Sequence, residues 1–383
     1  MVSLFREKTQ RADGQVLEIN FGPQHPSTHG VFRLHTLVDG ETIREVKPVM
    51  GYLHRNQEQI SENLTYTGFI GFTDRMDYIN AIPNNFSFVL AAEKLAGIEV
   101  PERADHIRII MAELARIVNH MAVVGFLLND LGAAFTPLLY AFRERELILD
   151  IFEDLTGSRM MCNYFRIGGV KSDLSEQHLA TIKKMAARLP KFLDEFETLL
   201  TNNEILCMRC QNTGILSPET AVNSGITGPA LRASGVNYDI RKTDRYSLYG
   251  RFDFKVPLGK TGDVYDRYYV RILEIRESLN ILRQAVAALP RGEFINKKTA
   301  AFIRSPRNFK PPVGEAYART ESPKGELGFY ILSDGTPQPW RCHARAPSLI
   351  NLSALETMCV GQKIADMMII LGSIDIVLGE TDR

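Results

Sequence analysis

The run DHIRIIMAELARIVNHMAVVGFLLND, residues 105–130, decides how the rest of the chain reads. Ile107, Ile110, Met111, Leu114, Ile117, Val118 and Met121 recur at steps of three and four, which marks one buried helical stripe. Glu113, Arg116 and His120 fall on a second stripe, close enough to interact with one another. From Met121 to Leu128 every face is apolar, so burial on all sides is expected there. Such a helix needs others around it. Helical patterns at 137–155 (ended by Thr156-Gly157), 175–200, 264–289 and 358–371 supply them. Upstream the period changes. Val16, Leu17 and Ile19 lead into a Gly-Pro loop, residues 31–38 read as a second strand, and Asp39-Gly40 followed by residues 42–49 is a hairpin signal. Residues 51–80 are mixed and rich in His, Tyr, Arg and Asp, and Gly, Pro and Ser cluster at 212–235 and 305–328. No internal repeat or low-complexity tract interrupts the pattern. The expected fold class is α+β: a small β-rich N-terminal part over residues 1–80, a helical bundle over 81–300, and a partly extended C-terminal part with a helix over 301–383.

Composition excludes several classes. The 383 residues are 45% hydrophobic and 23% charged, which suits a packed protein and argues against a disordered one. Lys and Arg number 45 and so do Asp and Glu, so there is no basic surplus to bind nucleic acid. Zero net charge also speaks weakly for life inside an assembly rather than as a self-repelling monomer. Cys162, Cys207, Cys210, Cys342 and Cys359 are too few and too odd for a disulfide scaffold. The opening MVSLFREKTQ has no apolar run, so no secretory signal is expected and a reducing, cytosolic-side location follows. The nearest approach to a membrane span, residues 117–128, is short and carries Asn119 and His120. The protein is expected to touch a membrane without crossing it.

Five motifs invite chemistry. Cys207-Met-Arg-Cys210 is a lone CxxC that follows a helix end; a structural zinc site wants four ligands, so chance occurrence is the better reading. Gly259-Lys260-Thr261 resembles the tail of a phosphate loop, but Phe254 stands where its first glycine belongs, which leaves a turn. No G-x-G-x-x-G fingerprint exists for a nicotinamide or flavin. Glu113, Arg116 and His120 form either an interior salt-bridged network or a charged relay. The loop GPQHPSTHG, residues 22–30, places His25 and His29 between Gly and Pro residues that fix a tight turn. Those imidazoles are satisfied turn residues, proton donors or ligand hydrogen-bonders, and less readily metal ligands, because no third ligand is near. Finally, Thr73-Asp74-Arg75-Met76-Asp77-Tyr78 packs an ion pair and a phenol into six residues, a common helix-start pattern when taken alone.

Taken together, these stretches resemble the D-type subunit of the proton-pumping NADH–quinone oxidoreductase, respiratory complex I. The resemblance is carried in order by GPQHPSTHG (22–30), GYLHR (51–55), RMDY (75–78), Thr136-Pro137 with FRERE (142–146), NYFRIGGV (163–170), LRASGVNYDIRK (231–242), PKGELG (323–328) and DIVLGETDR (375–383). It implies a fold like the large subunit of nickel–iron hydrogenases. Here the terminal segment reads Asp375-Ile376-Val377-Leu378-Gly379-Glu380 in place of a DPCxxC motif, and no N-terminal Cys pair exists, so the thiolates of a nickel site are missing. A hydrogenase-like catalytic subunit is the weaker alternative, as is a scaffold serving a donor other than NADH. The resemblance departs at Arg55, followed by Asn56 where the family commonly has glycine, and at residues 296–312, which look short.

The resemblance implies that His29 hydrogen-bonds a quinone headgroup, that Tyr78 holds its other side, and that Asp130 pairs with the histidine. Val377, Arg75 and His25, the last in the same loop as His29, are implied as further quinone-binding residues. The implied catalytic residues are therefore His29, Tyr78 and Asp130. Quinone is substrate, no metal or flavin is held by this chain, and a [4Fe-4S] cluster sits in the adjacent B-type subunit. Further implied partners are the C-type and I-type subunits and the membrane subunits of the H and A types, with peripheral attachment at the cytoplasmic face of the inner membrane and no nucleic acid. The chemistry is coherent, because a two-electron-reduced quinone must gain two protons and both imidazole and phenol can give one. A nearby carboxylate supports a protonated imidazole beforehand and can move once it discharges.

Overall fold

The computed structural model describes residues 8–11, 14–25, 28–133 and 136–383. The start of the chain, for which no secretory signal is expected, and Pro26-Ser27 of the histidine loop lie outside them. The fold is a mixed α+β one, as expected. A four-stranded antiparallel sheet comes first, in the order Lys8–Arg11, Gly14–Phe21, Arg33–Asp39, Thr42–Val49. In Arg33–Asp39 the residues Leu34, Thr36 and Val38 are buried in alternation, the period of a half-buried strand. Asp39 pairs with Thr42, so the hairpin turns on Gly40-Glu41 with Gly40 at φ +61°.

Residues 51–80, read only as mixed, hold two helices, Gln57–Asn63 and Tyr66–Thr73. Ala81–Ala96 follows, then Glu102–Asp130, the axis of the molecule. Around that axis pack Thr136–Thr156, Val264–Ala287 and Ile364–Ile374. By length and composition Glu102–Asp130 could cross a bilayer, yet 94% of its most apolar window is buried inside the fold. The expectation of burial on every face fails at Phe126, which is 36% exposed. Glu176–Leu200 begins on a Ser175 cap, a hydroxyl satisfying a free backbone N–H.

Near the C-terminus one expectation needs correction and another takes a more definite form. The single helix over 358–371 is two, Leu355–Cys359 and Ile364–Ile374, because the chain breaks at Gly361 with φ +83° and donates back to Ile43 of the N-terminal sheet. The partly extended segment is a second sheet, Gly314–Ser322, Gly325–Ser333 and Arg341–Arg345, with Gly325–Ser333 in the middle. Its first hairpin pairs Ser322 with Gly325, so Pro323-Lys324 form the tip. That tip points inward: Lys324 is only 1% exposed.

The remaining motifs resolve as local structure. Cys207 and Cys210 lie within the helix Glu204–Cys210, not after a helix end. Gly259-Lys260-Thr261 is a turn whose convergent N–H groups already hold an anion: Lys260, Thr261 and Gly262 all donate to one carboxylate oxygen of Asp266, at 2.9, 2.6 and 3.1 Å. Glu113, Arg116 and His120 are paired inside the core, as described below.

Candidate functional site

Motifs far apart in the chain converge on one place. Asp382, near the C-terminus, accepts the backbone N–H groups of Gly51 and Leu53 at 2.9 and 2.7 Å, and its own carbonyl contacts His54 Nδ1 at 2.6 Å. Arg55 donates to the carbonyl of Arg75 at 2.6 Å. Asn56, standing where glycine is common, adopts φ +58°, a conformation glycine takes freely and asparagine tolerates. These bonds lay the terminal helix Leu378–Asp382 against the segment carrying Asp77 and Tyr78.

Beside that junction opens a cavity of about 520 Å³, lined by His29, Gly30, Tyr78, Ile79, Val123, Phe126, Asn129, Asp130, Gly372, Asp375, Ile376 and Val377. His29 takes φ +56°, unusual for a side-chain-bearing residue, and Thr28 Oγ1 anchors the loop within 2.7 Å of the His25 carbonyl and 2.9 Å of the Gly30 carbonyl. The ring thus directed meets the last residue of the axial helix: His29 Nε2 and Asp130 Oδ2 are 2.7 Å apart. Gly372 is what permits this. A Cβ there would lie 2.8 Å from Asp130 Oδ2 and 3.2 Å from His29 Nε2. Tyr78 is half-buried on the same cavity, and its phenol is pushed up from the ordinary value by burial and by the neighbouring Asp77, against Lys324 and Arg55.

Of the six residues singled out from sequence, His29, Tyr78, Asp130 and Val377 line this cavity together. His25 and Arg75 do not. The His25 ring packs edge-on against Phe21 at 6.3 Å. The Arg75 guanidinium is about half exposed, donates to the Gly71 carbonyl and lies 3.8 Å from Asp74. Among the described residues no group of three or more His, Cys, Asp or Glu is placed to hold a metal ion.

Sequence reasoning missed a buried charge cluster beneath the cavity, its floor, which reaches the cavity through Asp375. Lys324 Nζ lies 2.9 Å from Asp77 Oδ2 and 3.6 Å from Asp375 Oδ1, and donates to Asn119 Oδ1 at 2.5 Å. Asn119 in turn donates to Asp375 Oδ2 at 2.7 Å. Glu380 accepts the Ser348 backbone N–H at 3.0 Å and its hydroxyl. Asp77, Lys324, Asp375 and Glu380 all sat inside quoted motifs, but only Asp375, within IILGSIDIVLG (369–379), stood out as a charge in an apolar stretch. Phe126 and Gly372 left no such trace.

Residues 130–383 match the family profile described as Respiratory-chain NADH dehydrogenase, 49 Kd subunit. Similar curated proteins include a D-type subunit of NADH-quinone oxidoreductase, numbered 1, from Roseiflexus sp. (strain RS-1), 56% identical over 96% of this chain and 99% of the relative. The D-type subunit of Dehalococcoides mccartyi (strain CBDB1) is 55% identical over 95% and 98%, and that of Geobacter sulfurreducens 45% over 97% and 100%. A profile covering most of the chain and relatives matched end to end agree with the convergence of motifs on the cavity: the chain belongs to the D-type, or 49 kDa, subunit family of NADH-quinone oxidoreductase.

Proposed function

We propose that the cavity receives the headgroup of a quinone in an assembled, proton-translocating NADH-quinone oxidoreductase, and that Tyr78 and His29 donate the two protons its reduction requires. The observation that carries this reading is the His29–Asp130 pair, 2.7 Å apart, sharing one cavity with Tyr78. Val123, Phe126, Ile376 and Val377 give that cavity an apolar wall suited to a quinone ring. Reduction adds two electrons and two protons. The Tyr78 O–H supplies one proton and a protonated His29 the other, leaving a phenolate and a neutral imidazole. Asp130 orients the imidazole before transfer and loses its cationic partner afterwards, so the charge at the end of the axial helix changes with each turnover. That change is the part of the site able to drive proton translocation in a neighbouring membrane subunit. Residues His25 and Arg75 border the site rather than touch the headgroup.

The electrons come from a partner. In this reading the B-type subunit carries a [4Fe-4S] cluster facing the cavity, with the C-type and I-type subunits and the H-type and A-type membrane subunits as further neighbours. The assembly is attached peripherally at the cytoplasmic face of the inner membrane, where the quinone tail enters. The test uses the assembled complex with Tyr78→Phe and His29→Ala. Each is expected to lower quinone reduction by about 10²-fold, the ordinary worth of one positioned proton donor, while NADH oxidation with an artificial acceptor stays at the wild-type rate. Full quinone reduction in both variants would overturn the proposal and favour a scaffold role.

A further inference from the structure

The floor of the cavity holds more carboxyls than it has cations to balance. Asp77 and Asp375 lie against the ammonium of Lys324, Glu380 acts on it electrostatically, and all four side chains are buried. Asp77 Oδ1 is occupied by the backbone N–H groups of Ile79 and Asn80, 3.1 Å from each, while Oδ2 faces Lys324. Arg271 acts on Asp375 from the helix Val264–Ala287, but its guanidinium donates to the Arg267 carbonyl. Burial disfavours the ionised forms of Asp375 and Glu380 more than Lys324 and Arg271 favour them, so the cluster keeps a proton. Burial raises Glu380 to about 7, with Asp77 adding to the rise and Lys324 and Ser348 opposing it. Burial likewise raises Asp375, against Lys324, Arg271 and Asn119. One member, Asp375, also lines the cavity, as does Tyr78.

We infer that the Asp77–Lys324–Asp375–Glu380 cluster is a proton store that recharges the Tyr78 hydroxyl after each quinone reduction. The inference rests on the quinone reading above. The step balances without any further reagent: the carboxylic O–H of the store breaks, the phenolic O–H of Tyr78 forms, and the store gains one negative charge beside Lys324. The electrons have already left with the quinol, supplied by NADH oxidation. Glu380, Asp77 and Lys324 act through Asp375 and are positioning residues rather than catalytic ones.

The test is the pH profile of quinone reduction in the assembled complex, with NADH oxidation by an artificial acceptor as the control for assembly. The wild-type rate is expected to fall as pH rises through about 7, where Glu380 gives up its proton. Glu380→Gln should be several-fold slower than wild type at about pH 6, where the store is loaded, and equal to it at about pH 9, where the store is empty. Ser348→Ala removes a hydroxyl that stabilises the ionised form of Glu380, so its falling limb should move to higher pH. If Glu380→Gln fails to assemble, Ser348→Ala decides alone. Wild-type profiles in the assembled variants overturn the store. Tyr78→Phe, assayed alongside, separates the two failures: if it alone is slow, only the store falls; if it too runs at full rate, the quinone reading falls and takes the store with it.

Discussion

Two buried charge clusters share the helix Glu102–Asp130 and differ in their ratio of cations to anions. The floor of the cavity, reached through Asn119, sets the Lys324 ammonium, with the Arg271 guanidinium acting on Asp375, against three carboxyls. The other cluster, an arginine–carboxylate network reached through Glu113, Arg116 and His120, sets Arg116, Arg232 and Arg241 against Glu113, Asp239, Glu274 and Glu321. Its pairs are close: Arg232 lies 2.7 Å from both Glu274 and Glu321, Arg241 is 2.7 Å from Asp239 and 3.2 Å from Glu113. Tyr249 and Ser278 add hydrogen bonds to Glu113 at 2.7 and 2.6 Å. Burial by itself would raise every one of these carboxyls. In the network the guanidiniums outweigh it, holding Glu113 and Glu274 low and Asp239 at about 2. Glu321 is the exception, raised by burial despite Arg232. On the floor, burial wins at Asp375 and Glu380. Charged side chains of the same types therefore serve as fixed struts where cations nearly match anions and as titrating groups where they do not.

The largest expected effect breaks the network side of this contrast. Arg232→Leu leaves Glu274 and Glu321 buried without their guanidinium, a loss of about 3–5 kcal/mol. That is a large part of a typical fold's net stability, so the subunit should not accumulate in the complex, as read by subunit content. Normal assembly would mean that the network is not holding the fold. The next effect sharpens the cavity side. Gly372→Ala puts a methyl 2.8 Å from Asp130 Oδ2, and overpacking of about 1–3 kcal/mol should part it from His29. Assembly is expected to survive while kcat for quinone falls about tenfold, about 1.4 kcal/mol being one decade. An unchanged kcat would show that this pair is not needed.

The smallest effect tests whether anything in the network titrates. Burial holds His120 neutral, down to about 4, although Glu274 at 2.9 Å pulls the other way. Its ordinary value in an unfolded chain is about 6.5. A group depressed by folding contributes stability that is complete above about 6.5 and is lost as pH falls through about 4. His120→Gln keeps a donor for Glu274 and removes the titrating ring. It should make the loss of subunit from the complex shallower across that window, measured after brief acid incubation. An identical acid curve would show that His120 does not take up the proton.

Much of the skeleton was legible without coordinates. The spacing from Ile107 to Met121 predicts the axial helix, and the alternation at Leu34, Thr36 and Val38 predicts a half-buried strand, because both periods follow from local backbone geometry. The four residues that share the cavity were singled out together only through motif resemblance, since nothing local ties His29 to Asp130 across 101 positions. The C-terminal sheet was read as merely extended, because its middle strand is buried on both faces and shows no alternation. Lys324 escaped notice for a related reason: a lysine at a hairpin tip ordinarily points to water, and only the neighbouring carboxyls make burial tolerable.

The sequence by itself determined the family, the helices and strands with clear periods, and the presence of charges inside apolar runs, all of which depend on order along the chain. Only the tertiary structure decided which of those charges titrate. That depends on how many cations stand within a few ångströms of each carboxyl, and at the cavity floor the count is set by residues 77, 324, 375 and 380, brought together from three separate parts of the chain.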